Sequence, residues 1–211
     1  MFRKISLLIL LFSVQFIAAQ SNVQAEQILT DLLNSAKTTA IKTNFKLIVI
    51  DKKESEPQTS SGVFTLKGSK FILEMDAMKV WFDGKTQWSF VHQNNEVSIT
   101  EPSEKELAET NPMAILSGFK TKCIIRFSSK TKANQNYCIE MIPKSNNNDV
   151  VKIEVQVNKN NGNLFSIYII SKNGSISHLI LSNFQKGITI NENSFVFNST
   201  KFKGVTINDL R

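Results

Sequence analysis

Between Ala25 and Lys37 the apolar residues Ile28, Leu29, Leu32, Leu33 and Ala36 recur at steps of three and four, with polar residues in the gaps. That spacing predicts an amphipathic helix with one face to bury. From Phe45 onward the period changes. The runs 45–50, 62–67, 71–75, 80–82, 86–91 and 97–100 are short and rich in β-forming residues. Between them lie Glu56-Pro57, Lys67-Gly68-Ser69, Asp83-Gly84 and Asn94-Asn95, which supply the bends that tight strand connections need. A meander follows.

The pattern then breaks. Ser103 with Glu106 reads as a capping box opening a short helix through Glu109. Asn111-Pro112 restarts a helix, since Asn caps and Pro suits the first turn, and Gly118 is placed to end it. Strand patterns return at 122–127, 136–142, 150–158, 164–171, 175–184 and 195–197. Val151, Ile153, Val155 and Val157 alternate with Lys152, Glu154 and Gln156, which predicts one dry and one wet face. Asn160-Asn161-Gly162 and Asn173-Gly174 are hairpin signals.

Roughly ten strands with one apolar face, and helical sequence in only two places, cannot be covered by helices alone. The sheet has to curl on itself. The expected fold is therefore mainly β with a few α-helices: a strongly curved antiparallel sheet forming an incomplete β-barrel, covered by the N-terminal helix and a central helical lid. Residues 21–211 are expected to form a single domain of this kind.

Residues 1–20 have the layout of a cleaved export signal: Arg3 and Lys4, an apolar run from Ile5 to Ile17, then Ala18-Ala19. The run is too short to span a bilayer comfortably. Cleavage after Ala19 and after Gln20 both fit. A lipid-anchored signal needs a cysteine at the cut, so an unanchored periplasmic protein is expected. Removing Arg3 and Lys4 lowers the net charge from +7 to +5. The lysines are scattered, which argues against nucleic acid and leaves at most weak steering toward acidic partners or phospholipid headgroups. Cys123 and Cys138 fall on the two arms of one expected hairpin. A bridge and two buried thiols both remain open.

Catalytic constellations are not found. His92 reads as a solvated turn residue and His178 as a strand residue, neither in a metal-ligand spacing, and no nucleophile elbow or phosphate loop is present. The sequence points away from an enzyme, a metal and a cofactor.

The stretch from Gly62 to Met75, followed by Asp83-Gly84-Lys85-Thr86-Gln87-Trp88-Ser89-Phe90, resembles the periplasmic outer-membrane lipoprotein carrier family (LolA-like). Asn111 to Leu116 is similar to the family's lid segment, and Phe195-Val196-Phe197 with Gly204 to Asp209 to its C-terminal signature. The resemblance implies a monomeric periplasmic carrier that moves acylated lipoproteins from an inner-membrane ABC transporter to the outer membrane; an outer-membrane acceptor is left open. Many members place Arg-Pro after the Lys of the basic turn, where that Arg is implicated in holding the lid. Here Gly68 and Ser69 stand instead, so the lid must be held otherwise or the branch is divergent.

By resemblance, Phe45, Leu47, Phe64, Leu66, Phe71, Leu73, Met75, Trp88 and Phe90 line an acyl cavity, with Leu107, Met113, Ile115 and Leu116 in the lid. Each taken alone is equally an ordinary core residue. Two rival functions share the β architecture: a lipid-sensing periplasmic regulator, for which a second domain is usual and the length insufficient, and a surface-polymer-binding protein without a transport role.

Overall fold

The structure, a computed structural model, describes residues 22–132, 135–147 and 149–211. The export-signal expectation for residues 1–20 lies outside them. Helix α1 spans residues 22–38. Six strands follow: β1 (Ile41–Ile50), β2 (Gln58–Lys67), β3 (Lys70–Met75), β4 (Met78–Phe82), β5 (Gln87–Val91) and β6 (Glu96–Thr100). Helices α2 (Glu104–Thr110) and α3 (Pro112–Lys120) lead into β7 (Cys123–Phe127), β8 (Asn136–Pro143), β9 (Val150–Asn158), β10 (Leu164–Ser171) and β11 (Ile176–Lys186). A late strand, β12 (Thr206–Asp209), completes the order.

All twelve strands form one open sheet, β12-β6-β5-β4-β3-β2-β1-β11-β10-β9-β8-β7. Two meanders meet where β1 pairs with both β2 and β11. Every pairing is antiparallel except β12 on β6. The expected mainly β, curved, incomplete barrel is what forms. The helical pair α2–α3 links the two halves of the sheet, from β6 to β7.

One end of the interior is packed shut. Phe64, Phe71 and Phe82 stack across β2, β3 and β4 with ring centroids 5.7 and 5.3 Å apart. The apolar face of α1, with Leu29 and Leu33, is buried in the same core. Its last turn reaches the β2–β3 bend, where the Lys37 carbonyl lies 3.6 Å from the place a Cβ would take on Gly68. That bend holds Gly68 at φ +64, which glycine adopts without steric cost.

A second apolar cluster sits on the outer face of β3–β6. Trp81 meets Phe197 and Phe202 edge-on at 5.4 and 5.8 Å, and Phe90 meets Phe202 at 4.6 Å. Phe195 is fully buried there. The segment bearing these phenylalanines forms a strap, pinned where Glu192 bridges Lys67 at 2.5 Å and Lys70 at 2.7 Å.

Two expectations are corrected and one strand is added. Residues 195–197 are not a strand: a 3-10 turn, Glu192–Phe195, leads into them, because their rings anchor the strap instead of joining a ladder. Gly118 does not end α3, which runs on to Lys120 and caps at Thr121 in ordinary helical backbone. Strand β12 was not foreseen, since its partner lies far away in sequence.

The Lys67 and Lys70 ammonium groups hold the Glu192 carboxyl down to about 2, against 4.5 for an unperturbed glutamate. A carboxyl lowered on folding stabilises the native state above its unfolded pKa and loses that contribution as pH falls through the folded one. Glu192→Gln should therefore melt at a modestly lower temperature at neutral pH, with the gap to the parent closing between pH 4.5 and about 2. Circular dichroism melts across that window provide the check. A constant gap would show that charge does not hold the strap.

Candidate functional site

The other end of the interior stays open, and its cover is set by one residue. Asn111 closes α2 by donating its backbone N–H to the Leu107 carbonyl at 2.9 Å, and opens α3 by accepting the Met113 N–H on Oδ1 at 2.9 Å. Pro112, at the first position of α3, has no N–H to leave unpaired. The expected capping box of Ser103 and Glu106 is present at the start of α2, where these hydrogen bonds lower the Glu106 pKa. The result is a two-piece lid jointed at Asn111.

Beneath it lies a cavity of about 500 Å³. Phe45 and Leu47 on β1, Phe64 on β2, and Leu73, Met75 and Met78 along β3 and β4 form one wall. Ile167 and Ile169 on β10 face Leu179 and Leu181 on β11 in the other. Ala108, Pro112 and Ile115 roof it, and Ser60, Thr110, Asn111 and Ser177 are its polar lining residues. No charged side chain lines it among the described residues. Such a space offers dispersion contact and few directional bonds, which suits a chain of methylenes.

Gly62 shapes the wall. It sits between Phe45 and Met75 in the register, and a Cβ there would lie 2.9 Å from Phe45 Cε1 and 1.9 Å from the Glu74 carbonyl oxygen. Only a residue without a side chain lets the Phe45 ring lie across that strand.

Of the nine residues expected to line the cavity, the structure brings together Phe45, Leu47, Phe64, Leu73 and Met75. Leu66 and Phe71 point the same way but lie deeper, in the packed end. Trp88 and Phe90 are corrected outright. Trp88 pairs with Trp81 and Phe90 with Lys79, so both share the outer face covered by the strap. Inner-face positions of β5 and β6 are instead Gln87, Ser89, Ser98 and Thr100, with Gln87 Nε2 donating to Ser89 Oγ at 3.3 Å. Alternation shows which residues share a face, and not which face is inside.

In the lid, Ile115 reaches the cavity, Leu107 and Met113 pack on the core while half-buried, and Leu116 is fully buried. Helix α3 docks on β7 and β8. The basic turn has another use here: Lys67 and Lys70 grip the strap on the outside. Ile167, Ile169, Leu179 and Leu181 were missed as lining residues, although their steps of two along β10 and β11 carried the signal.

Of the two readings left open for the cysteines, the structure gives the pair of buried thiols. Cys123 and Cys138 are free and buried. Cys123 faces Pro143 across the hairpin, five residues along β8 from Cys138, or about 17 Å of strand. They also point to opposite faces, Cys123 with Ile125 and Cys138 beside Ile139. Burial raises both thiol pKa values, aided at Cys138 by Glu154. His92 lies in an exposed turn, and His178 meets the Tyr168 ring edge-on at 5.4 Å. Among the described residues no group of His, Cys, Asp or Glu is placed to hold a metal.

A family model described as the outer membrane lipoprotein carrier protein LolA matches residues 19–164. The chain belongs to the LolA outer membrane lipoprotein carrier family. An outer-membrane lipoprotein carrier protein of Shewanella putrefaciens is 28% identical over 191 residues, covering 89% of this chain and 86% of its own. Among solved structures, an uncharacterized conserved protein of Thermus thermophilus superposes with a TM-score of 0.57 at 10% identity, covering 88% of this chain and 99% of its own. A Desulfovibrio piger protein gives 0.50 at 10% identity, covering 87% and 99%. These two show the fold. The family is one of periplasmic carriers that bind lipid and transport lipoproteins.

The free-thiol geometry predicts that unfolded, unreduced protein titrates as two thiols with a colorimetric disulfide reagent, while native protein reacts slowly even in mildly alkaline buffer. Reductant should leave the melting temperature unchanged. Fewer than two thiols in the unfolded sample would contradict the structure.

Proposed function

We propose that this chain is a periplasmic carrier that takes the acyl chains of lipoproteins into the cavity beneath α2 and α3 and moves them from the inner to the outer membrane. The observation that carries the reading is an apolar space of about 500 Å³ whose roof is the helical pair jointed at Asn111. Each methylene moved from water into such a space contributes about 0.8 kcal/mol. Displacing Ile115 and Pro112 from their own cover opposes it, so affinity stays low enough for release.

On this reading the donor is an inner-membrane ABC transporter, the chain acts alone between membranes as one domain, and it performs no catalysis. Depleting the protein in its native host should leave outer-membrane lipoproteins in the inner membrane. Unchanged sorting, with no paralogue to compensate, would reject transport and leave a lipid sensor.

Binding itself can be read with an environment-sensitive fatty-acid probe. Ile169→Trp and Leu179→Trp should fill the cavity and weaken the probe at least about tenfold, the loss of two or more methylene contacts, while Trp88→Ala should leave it unchanged. Leu116→Asp buries an unpaired charge under α3 and should prop the lid open. If the two filling variants bind as the parent does, with native circular dichroism, the cavity does not hold acyl chains.

A further inference from the structure

At the open end of the sheet the α3–β7, β8–β9, β10–β11 and β1–β2 connections meet, and lysines join them. Lys144 Nζ donates to the Thr121 carbonyl at 3.3 Å, and Lys172 Nζ donates to the Asn146 carbonyl. Lys52 lies over Gly174, its Cε 2.4 Å from the place of a Cβ there. Lys120 and Lys122 stand at the end of α3. None of these five ammonium groups has a carboxylate partner among the described residues. Asp149 is the acid on the first three connections; on the fourth, Asp51 precedes Lys52 and Lys53, and Glu54 and Glu56 follow them.

Just inside this basic rim, one register row runs across six strands. Ile50 faces Ile176, Ile176 faces Ile170, and Ile170 faces Lys152. Ile124 faces Ile142, which the Met141–Ile153 register brings beside Lys152. Because Ile169, Ile153 and Met141 point inward, this row points out. Its ends are bare, with Ile50 exposed by 41% and Ile124 by 53%, and Val151 on the inner margin is exposed by 47%. The strap residues pack on β3–β6, away from this half. In the next row lies Tyr168, an amphipathic ring of the kind enriched at membrane–water boundaries.

We propose that this rim is a docking surface for an anionic lipid bilayer, which seats the cavity mouth at the headgroup layer. Lysines without a carboxylate partner on this rim meet phosphates without a fixed geometry, each adding attraction near a negatively charged surface. Exposed isoleucines then enter the boundary between headgroups and acyl chains. Neither signal alone gives firm binding, and together they give a reversible one. An outward-facing row of five isoleucines interrupted by Lys152 offers no pocket for the anchors a protein partner would bring, whereas a bilayer needs no matched shape. No helix among the described residues is long and apolar enough to cross a membrane. Docking rests on the carrier reading for its purpose but not for its existence.

The test is flotation of the full mature chain with vesicles of phosphatidylethanolamine and phosphatidylglycerol, against vesicles of phosphatidylcholine. The parent should float with the anionic vesicles alone, and added salt should release it. A triple variant, K122E with K144E and K172E, should lose binding by at least about tenfold. Ile50→Ser with Ile124→Ser should weaken it at fixed salt. Both variants should keep native circular dichroism and bind the fatty-acid probe as the parent does. Equal recovery on both vesicle types, or a triple variant that floats like the parent, overturns the proposal. So does attachment that appears only when the vesicles carry an acidic membrane protein, which assigns the rim to a protein partner. Unchanged probe binding in the cavity-filling variants with flotation intact counts against the carrier reading alone.

Discussion

An apolar sheet face has to be hidden from water, and in this molecule the two ends of the strand order, β12 and β7, do not pair to close the sheet. An open sheet of twelve strands leaves a concave interior that side chains fill only in part. The aromatic stack and α1 fill one end; at the other, interior positions such as Ser60, Gly62 and Ser177 are too small to meet in the middle. Cavity and lid both follow from that shortfall. The fold makes space by placing small residues opposite large ones.

The same constraint changes sides along the sheet. Through β1–β4 the concave face is apolar, but on β5 and β6 Trp88, Phe90 and Val97 turn outward and polar residues turn in. The outer surface there needs a cover of its own, which the strap supplies through Phe195, Phe197 and Phe202. Helices cover the inside and an irregular segment covers the outside. The exposed ion pair at Glu192 fixes where the strap crosses, while its buried rings supply most of the holding force.

Much of this was legible in the residues, and what was not has a physical reason. Helix caps at Ser103 and Asn111, the hairpin bends and the period-two strands are local, so the sequence displayed them. Which half of an alternating strand faces inward is decided by the whole sheet, and Trp88 and Phe90 were assigned to the wrong side for that reason. Leu179 and Leu181 went unnoticed because β11 shows no motif, only period. Parallel pairing of β12 with β6 leaves no local trace. Two cysteines on one hairpin left a bridge and two buried thiols both open, and only the register, with five residues between their levels, decides between them.

That late strand has a kinetic side. Ile207 pairs with Val97, about 110 residues apart, a contact that must wait for a large loop to close. Phe195 and Phe202 likewise reach back to Trp81 and Phe90. A chain that emerges from its N-terminus forward therefore shows Trp81, Trp88 and Phe90 to the solvent before their cover has been made. During that interval β3 to β6 have an uncovered apolar face and an unpaired edge, the combination that favours sticking to other chains. The segment that completes the native structure also sets how long the newborn protein must be kept from aggregating.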